Sequence, residues 1–325
     1  MSPTPAGDPV TGVTVRVGIV SWNTASLLER CLRALPAALE GVEAEVVVVD
    51  NSSSDRSAEI AAAHARVVRN ATNVGYARAM NQALAGTGAG VLIALNPDTE
   101  PPPGSLATLV RRLLDDPGVG LVAPQLVGAD GVTQWTARRF PSLGVGAATC
   151  ILPRRVQRGP IGRHLLLELA DQPTAPRDVD WAIGAVHVIR TAALAGRAPY
   201  DERWFMYVED IELCWWLARR GWRRRFEADL AVVHVGNAAG AQAWGDQYMG
   251  RCFDAMYDWY ERDRSRVGVR AWAALNAVRV AARAGVRIAA RRPPERHAQL
   301  RRELPHHTRV VLHGAPPLAG PPPSA

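Results

Sequence analysis

The 325-residue chain contains no lysine; all 38 of its basic side chains are arginine. That absence removes whole chemistries. A Walker A loop needs a lysine on the phosphates, and a protein kinase needs one on a core strand. A pyridoxal phosphate enzyme needs one for its Schiff base. The glycine-rich piece GTGAG (residues 86–90) has no GK after it and reads as a helix end turning into a strand. Cysteine is also scarce. Cys31, Cys150, Cys214 and Cys252 stand far apart with no CxxC pair. This excludes a zinc ribbon or disulfide framework and fits reduced thiols in a cytoplasm. No run approaches the roughly 18 uninterrupted apolar residues of a membrane span, so none is expected. Residues 1–12, MSPTPAGDPVTG, lack the apolar centre of a secretory signal and read as a disordered leader.

What the chain does have is charge in an uneven distribution. Net charge is +7, yet residues 261–325 carry 13 arginines against 4 acids, while the other 260 residues are close to neutral. Abundant Ala, Gly and Pro beside arginine point to a GC-rich coding bias. With no zinc-finger or RNP motif, no nucleic-acid partner is expected.

Apolar runs of strand length alternate with helical patterns. Strands are expected at 13–20, 44–50, 66–69 and 90–96, and helices at 26–35, 55–65 and 75–86. That rhythm predicts a mostly parallel sheet flanked by helices, a Rossmann-like α/β architecture. Ligands then sit beyond the C-terminal strand ends, which places Ser21 and Asn23, Asp50, and Asn96 with Asp98 at the expected site. Further on, 119–140 reads as strands around a GADG turn, 141–176 as a mobile segment, and 179–190 as a strand entering a short helix. Residues 222–237 read as a strand ending at His234. The expected organisation is a catalytic domain over 13–260, a basic helical extension over 261–292 and a disordered Pro-rich tail over 293–325. In the extension, Arg279, Arg283, Arg287 and Arg291 recur at i,i+4 on one helix stripe.

Several motifs admit both a chemical and a structural reading. Asp50, closing AEVVVVD, could accept hydrogen bonds from a nucleobase or simply cap a turn. In ALNPDTEPPPGSL (94–106), Asp98 could bind a hard divalent cation or form an Asx turn. In NVGYARAMN (73–81), Asn73 and Gly75 mark a turn where backbone could approach a phosphate, with Asn81 further along the helix. Glu209 and Asp210 start a helix, which the dipole favours, but aromatic neighbours make a buried carboxylate costly unless it is paired or used. His234 is either a structural histidine or a ligand.

Taken in order, Asp50, NVGYARAMN, NPD, DWAIGA, YDERWFMYVEDIELCWWLARRGW (200–222) and AVVHVGN (231–237) resemble family 2 glycosyltransferases of the GT-A fold, in particular the bacterial rhamnosyltransferase-like subgroup. The resemblance covers roughly residues 13–260. It implies an inverting transferase with Asp210 as catalytic base and with Glu209, Trp181 and Gly184 orienting the acceptor. Ser21, Asn23, Asp50, Asn73, Gly75, Asn81 and Asn96 would bind a nucleotide-sugar donor. Asp98 and His234 would hold a divalent cation, Mg²⁺ or Mn²⁺. Asn96 stands where a strict DxD motif has its first Asp. The subgroup implies dTDP-L-rhamnose as donor and a glycan or polyprenyl-linked acceptor; a UDP-hexose or UDP-galactofuranose donor, or a non-catalytic scaffold, are the alternatives. A cytoplasmic protein is expected, peripheral on the inner face of the plasma membrane through its basic tail.

Overall fold

Strand β1 (Val10–Ser21) is buried on both faces from Val15 to Ser21, and what packs on each face organises the fold. Val15, Val17 and Ile19 are buried with Leu28, Leu32 and Leu35 of helix α1 (Ala25–Ala38) and with Leu106, Leu109 and Leu113 of α4 (Ser105–Asp115). On the opposite face, Gly18 lies so close to α3 (Tyr76–Leu84) that a Cβ there would sit 2.8 Å from Leu84. Arg16 on that face donates to the Ala83 and Ala85 carbonyls. The computed structural model describes residues 10–86, 88–152, 156, 159, 172–236, 248–289 and 295–316. The chain divides into two compact units, residues 1–138 with 172–242 and residues 139–171 with 243–325.

The first unit is built on a nine-stranded mixed sheet. Strands β2 (Val42–Asp50), β3 (Arg66–Arg69) and β4 (Val91–Leu95) join β1 in parallel, with α2 (Ser57–Ala62) between β2 and β3. Strand β6 (Val119–Val127) and β11 (Arg223–His234) run the same way, while β5 (Thr99–Glu100), β8 (Arg177–Asp178) and β10 (Val186–Arg190) run against them. The sheet is therefore mostly parallel, as expected. Ser21, Asp50, Asn96 and His234 all arrive at one edge because their strands share a direction.

The run 179–190 forms two strands rather than a strand and a helix. β9 (Trp181–Ala182) pairs with β7 (Ala137–Arg138), and β10 then inserts between β4 and β6. The apolar run Val-His-Val-Ile is buried on both faces, and such a run has no periodicity to separate strand from helix. Helix α6 (Glu209–Arg219) leads into β11.

The second unit is helical: α5 (Leu143–Ile151), α7 (Tyr248–Asp263), α8 (Arg266–Ala289) and α9 (Glu295–His313). Its core is aromatic, with Tyr257 edge-on to Trp272 at 4.9 Å and Trp259 stacked on Phe140 at 6.3 Å. Ser265 starts α8 by accepting the Gly268 N–H. Three expectations change here. Residues 143–151 are helical instead of irregular, residues 295–313 form a helix instead of a disordered tail, and the first unit ends near residue 242, since position 260 lies inside α7. Glu303, His307 and Val310 of α9 are buried at i,i+4,i+7, a spacing masked in sequence by Pro305 and the surrounding charge. Arg279 and Arg283 are half-buried, while Val267, Val278 and Val286 are exposed. The Arg287 and Arg291 side chains lie outside the described residues.

Candidate active site

The two segments that carry the central acids are joined by one turn. At the end of β4, the Asn96 amide donates to the Ala185 carbonyl at 2.9 Å. One residue earlier, the Gly184 amide donates to Asp210 Oδ2 at 3.1 Å. A Cβ on Gly184 would stand 3.2 Å from that of Asp210, so the turn can approach the carboxylate closely only without a side chain. Trp181, just before the turn, is buried under the Arg138 guanidinium, 5.4 Å from its ring centre.

Asp210 also accepts the Ile211 N–H at 2.8 Å. Burial raises its carboxyl above the usual range, while the Gly184 and Ile211 amides and the Arg138 charge favour the anion. Glu209 differs: its Oε2 is buried without a partner. Burial, and then the neighbouring Asp210, push its pKa up to about 8. Both carboxyls are thus raised by burial, and the two backbone amides favour the anion on Asp210 over that on Glu209. The pair is held by an unusual entry to α6. Tyr207 and Val208 both have positive φ, at 71° and 76°. A β-branched residue there is strained, by about 1–3 kcal/mol. Sequence reasoning had no signal for this strain, because nothing in VED marks a left-handed backbone.

Tyr76 is a site residue the motif reading passed over, although it lies within NVGYARAMN. Its hydroxyl donates to the Gly184 carbonyl at 3.4 Å. Burial raises its pKa, and Glu209, Asp210 and Asp98 add to the rise, which places one phenol within electrostatic reach of all three acids.

Asp98 is buried, and its Oδ2 accepts the Gly236 N–H at 3.1 Å. Its Oδ1 lies 3.4 Å from His234 Nε2. A hard oxygen and an imidazole nitrogen so placed fit a divalent cation that also takes oxygens from a diphosphate. Among the described residues, no group of three or more His, Cys, Asp or Glu could hold a metal alone. Gln134, absent from the sequence-derived site, binds His234 twice, donating to its carbonyl at 2.6 Å and facing its Nδ1 at 2.8 Å.

The expected donor residues divide into two groups. Asp50 at the sheet edge is buried, and its Oδ1 is an acceptor without a hydrogen-bond partner. The others brace the site. Ser21 bonds Thr24 at 2.8 Å, and Asn23 accepts the Ser54 N–H at 2.7 Å. Asn73 accepts from Asn51, itself buried, and Asn81 clamps Tyr200 through both its amide N and O. Gly75 serves protein packing: at φ 89° it lets the Phe205 backbone approach, and an added Cβ would meet Phe205 O at 2.6 Å. Trp216, grouped with the acids by sequence, instead stacks against Arg197 and Arg220.

Residues 16–197 match the family model "Glycosyl transferase family 2". The chain is 30% identical over 232 residues to the N-acetylglucosaminyl-diphospho-decaprenol L-rhamnosyltransferase of Mycobacterium tuberculosis strain H37Rv, covering 66% of this chain and 74% of that one. It is also 30% identical over 239 residues to the pre-mycofactocin glycosyltransferase of the same strain, covering 71% of this chain and 44% of the relative. A mannosyltransferase from Pyrobaculum calidifontis, solved with GDP-Man and Mn²⁺, superposes with a TM-score of 0.57 over 96% of this chain and 91% of its own at 18% identity, a likeness of fold. By this family match and its GT-A-type fold, the chain belongs to glycosyl transferase family 2 and is a glycosyltransferase.

Proposed function

We propose that the protein transfers a sugar, with inversion, from a nucleoside diphosphate donor to a hydroxyl of a glycan or lipid-linked acceptor. The observation that carries this reading is the division of labour between Asp210 and Glu209. Asp210, held by two backbone amides that favour its anion, is placed to take the acceptor proton as the hydroxyl attacks the anomeric carbon. Glu209, whose carboxyl burial pushes up to about 8, can donate a hydrogen bond to the acceptor. Trp181 and Gly184 shape the wall beside them, and Asp50 receives the base. Asp98 and His234 would hold Mg²⁺ or Mn²⁺. When bound, that cation neutralises charge on the departing diphosphate. One direct displacement needs no covalent intermediate on the protein.

For the donor we favour dTDP-L-rhamnose, and for the acceptor a polyprenyl-diphosphate-linked sugar. Support comes from the relative named as an L-rhamnosyltransferase acting on a decaprenol-linked N-acetylglucosaminyl diphosphate. The test is binding and slow hydrolysis of dTDP-rhamnose, UDP-glucose, UDP-galactose, UDP-galactofuranose and GDP-mannose, each with Mg²⁺, Mn²⁺ or EDTA. Metal-dependent turnover of dTDP-rhamnose alone is the expected result. Preference for another donor overturns the rhamnose reading, and metal-independent binding overturns the cation site.

No helix among the described residues is long and apolar enough to cross a membrane. A peripheral contact with anionic lipid is our reading of the second unit. It rests on exposed Arg266 and Arg270 beside exposed Val267 and Val278 of α8, a helix free of acids. Paired Arg266→Gln and Arg270→Gln substitutions should weaken flotation with phosphatidylglycerol vesicles; unchanged flotation would refute the contact.

A further inference from the structure

We propose that Gln134 is the positioning residue that fixes the tautomer of His234, presenting the Nε2 lone pair to Asp98 so that the two can share a divalent cation. The inference rests on the cation reading above and extends it to a residue outside the acid motifs.

Hydrogen-bond chemistry determines the proton positions. The His234 carbonyl can only accept, so the Gln134 group 2.6 Å from it is the amide nitrogen. The amide oxygen then faces His234 Nδ1 at 2.8 Å. That oxygen can only accept, so Nδ1 carries the hydrogen. In the neutral ring Nε2 is left with its lone pair, and Nε2 is the nitrogen 3.4 Å from Asp98 Oδ1. Two acceptors facing each other inside the protein repel unless a positive charge lies between them. A divalent cation shared by the two would remove that repulsion, with the second ring nitrogen anchored as in metal-ligating histidines.

Gln134 is itself well held. Its backbone N–H donates to the Leu126 carbonyl at 2.9 Å, and its backbone carbonyl accepts from the buried Gln125 side chain at 2.9 Å. The hairpin that follows β6 thus carries a fixed amide to the end of β11. On the other side, Asp98 is oriented by the Gly236 N–H. Both prospective ligands are locked by neighbours that do not themselves bind metal.

The experiment uses the full-length protein without sugar. Mn²⁺ affinity is read by electron paramagnetic resonance, and the His234 tautomer by long-range ¹H–¹⁵N correlation in the metal-free state. Two variants are compared, Gln134→Met, which removes both hydrogen bonds, and Gln134→Glu, which keeps an acceptor for Nδ1–H. We expect Gln134→Met to lose the Nδ1–H signature and to bind Mn²⁺ about 10–100-fold more weakly, while Gln134→Glu keeps both within about threefold of wild type. Wild-type Mn²⁺ binding with an unchanged tautomer and affinity in Gln134→Met would overturn the role of Gln134 and leave the cation site standing. Wild-type protein that binds no Mn²⁺ would overturn the cation reading and this proposal with it.

Discussion

Glu209 and Asp210 are consecutive in the chain, yet Asp210 receives two backbone N–H groups while Glu209 Oε2 is buried with none. Adjacent carboxyls cannot both ionise cheaply in one buried place. The turn at Gly184 decides which one does. Asp210→Asn should keep the fold, because the amide is isosteric and its oxygen can still accept one of the two N–H groups, which reach different oxygens of Asp210. Its transfer rate should fall by about 10²–10⁴, the range for a lost general base. Steady-state kinetics beside donor-binding calorimetry would check this, with near-normal turnover refuting the assignment.

Glu209 titrates differently in the two states. The fold keeps it protonated up to about pH 8, whereas 4.5 is its ordinary value. Between those limits the folded state binds more protons, so wild-type stability falls as pH rises through the window. Glu209→Gln removes that titration. Urea midpoints should show the variant gaining on wild type from about pH 5 upward, with the gap widening to about pH 8; parallel midpoints would contradict the buried neutral acid.

Gly75 combines a positive φ with contact to Phe205. Gly75→Ala must strain the backbone at φ 89° and push against Phe205 O. A loss of about 1–3 kcal/mol is expected. Activity should drop as well, because Tyr76, the next residue, donates its backbone N–H to Phe205 at 2.7 Å and its hydroxyl to Gly184. Urea denaturation with parallel assays would measure both effects, and a fully active, equally stable variant would be the contrary result.

His187 is fully buried behind the Gly184 turn. It donates from Nε2 to the Ala182 carbonyl at 3.0 Å and accepts the Tyr200 hydroxyl at Nδ1. Burial pushes its pKa down from 6.5 to about 4. The unfolded state therefore takes up the proton first, and stability drains away as pH falls from about 6.5 to about 4, by about 3 kcal/mol. Buried His307 acts in the same direction. His187→Gln should be less stable than wild type near pH 7 but lose less on acidification, as read from denaturation midpoints across that range.

Much of this was legible in the chain. Strand β3 falls on the expected residues, and β1, β2, β4 and α3 within a few, because short apolar runs and turn chemistry are local. The same locality marked Asp50, Asp98, Asp210 and His234 as polar residues just beyond apolar runs. Less legible were β10, whose run is buried on both faces, and α9, whose buried positions include a histidine and a glutamate.

The sequence by itself determined the sheet-and-helix rhythm, the sheet edge where the candidate residues gather, and the acids available there. Only the tertiary structure decided which acid two backbone amides hold, which asparagines brace loops, and which histidine nitrogen faces Asp98. Each of those depends on partners distant in the chain, Gly184 with Asp210 at 26 residues and Gln134 with His234 at 100. Side-chain periodicity reports which face a residue occupies; hydrogen bonds and burial across the fold set its protonation and its role.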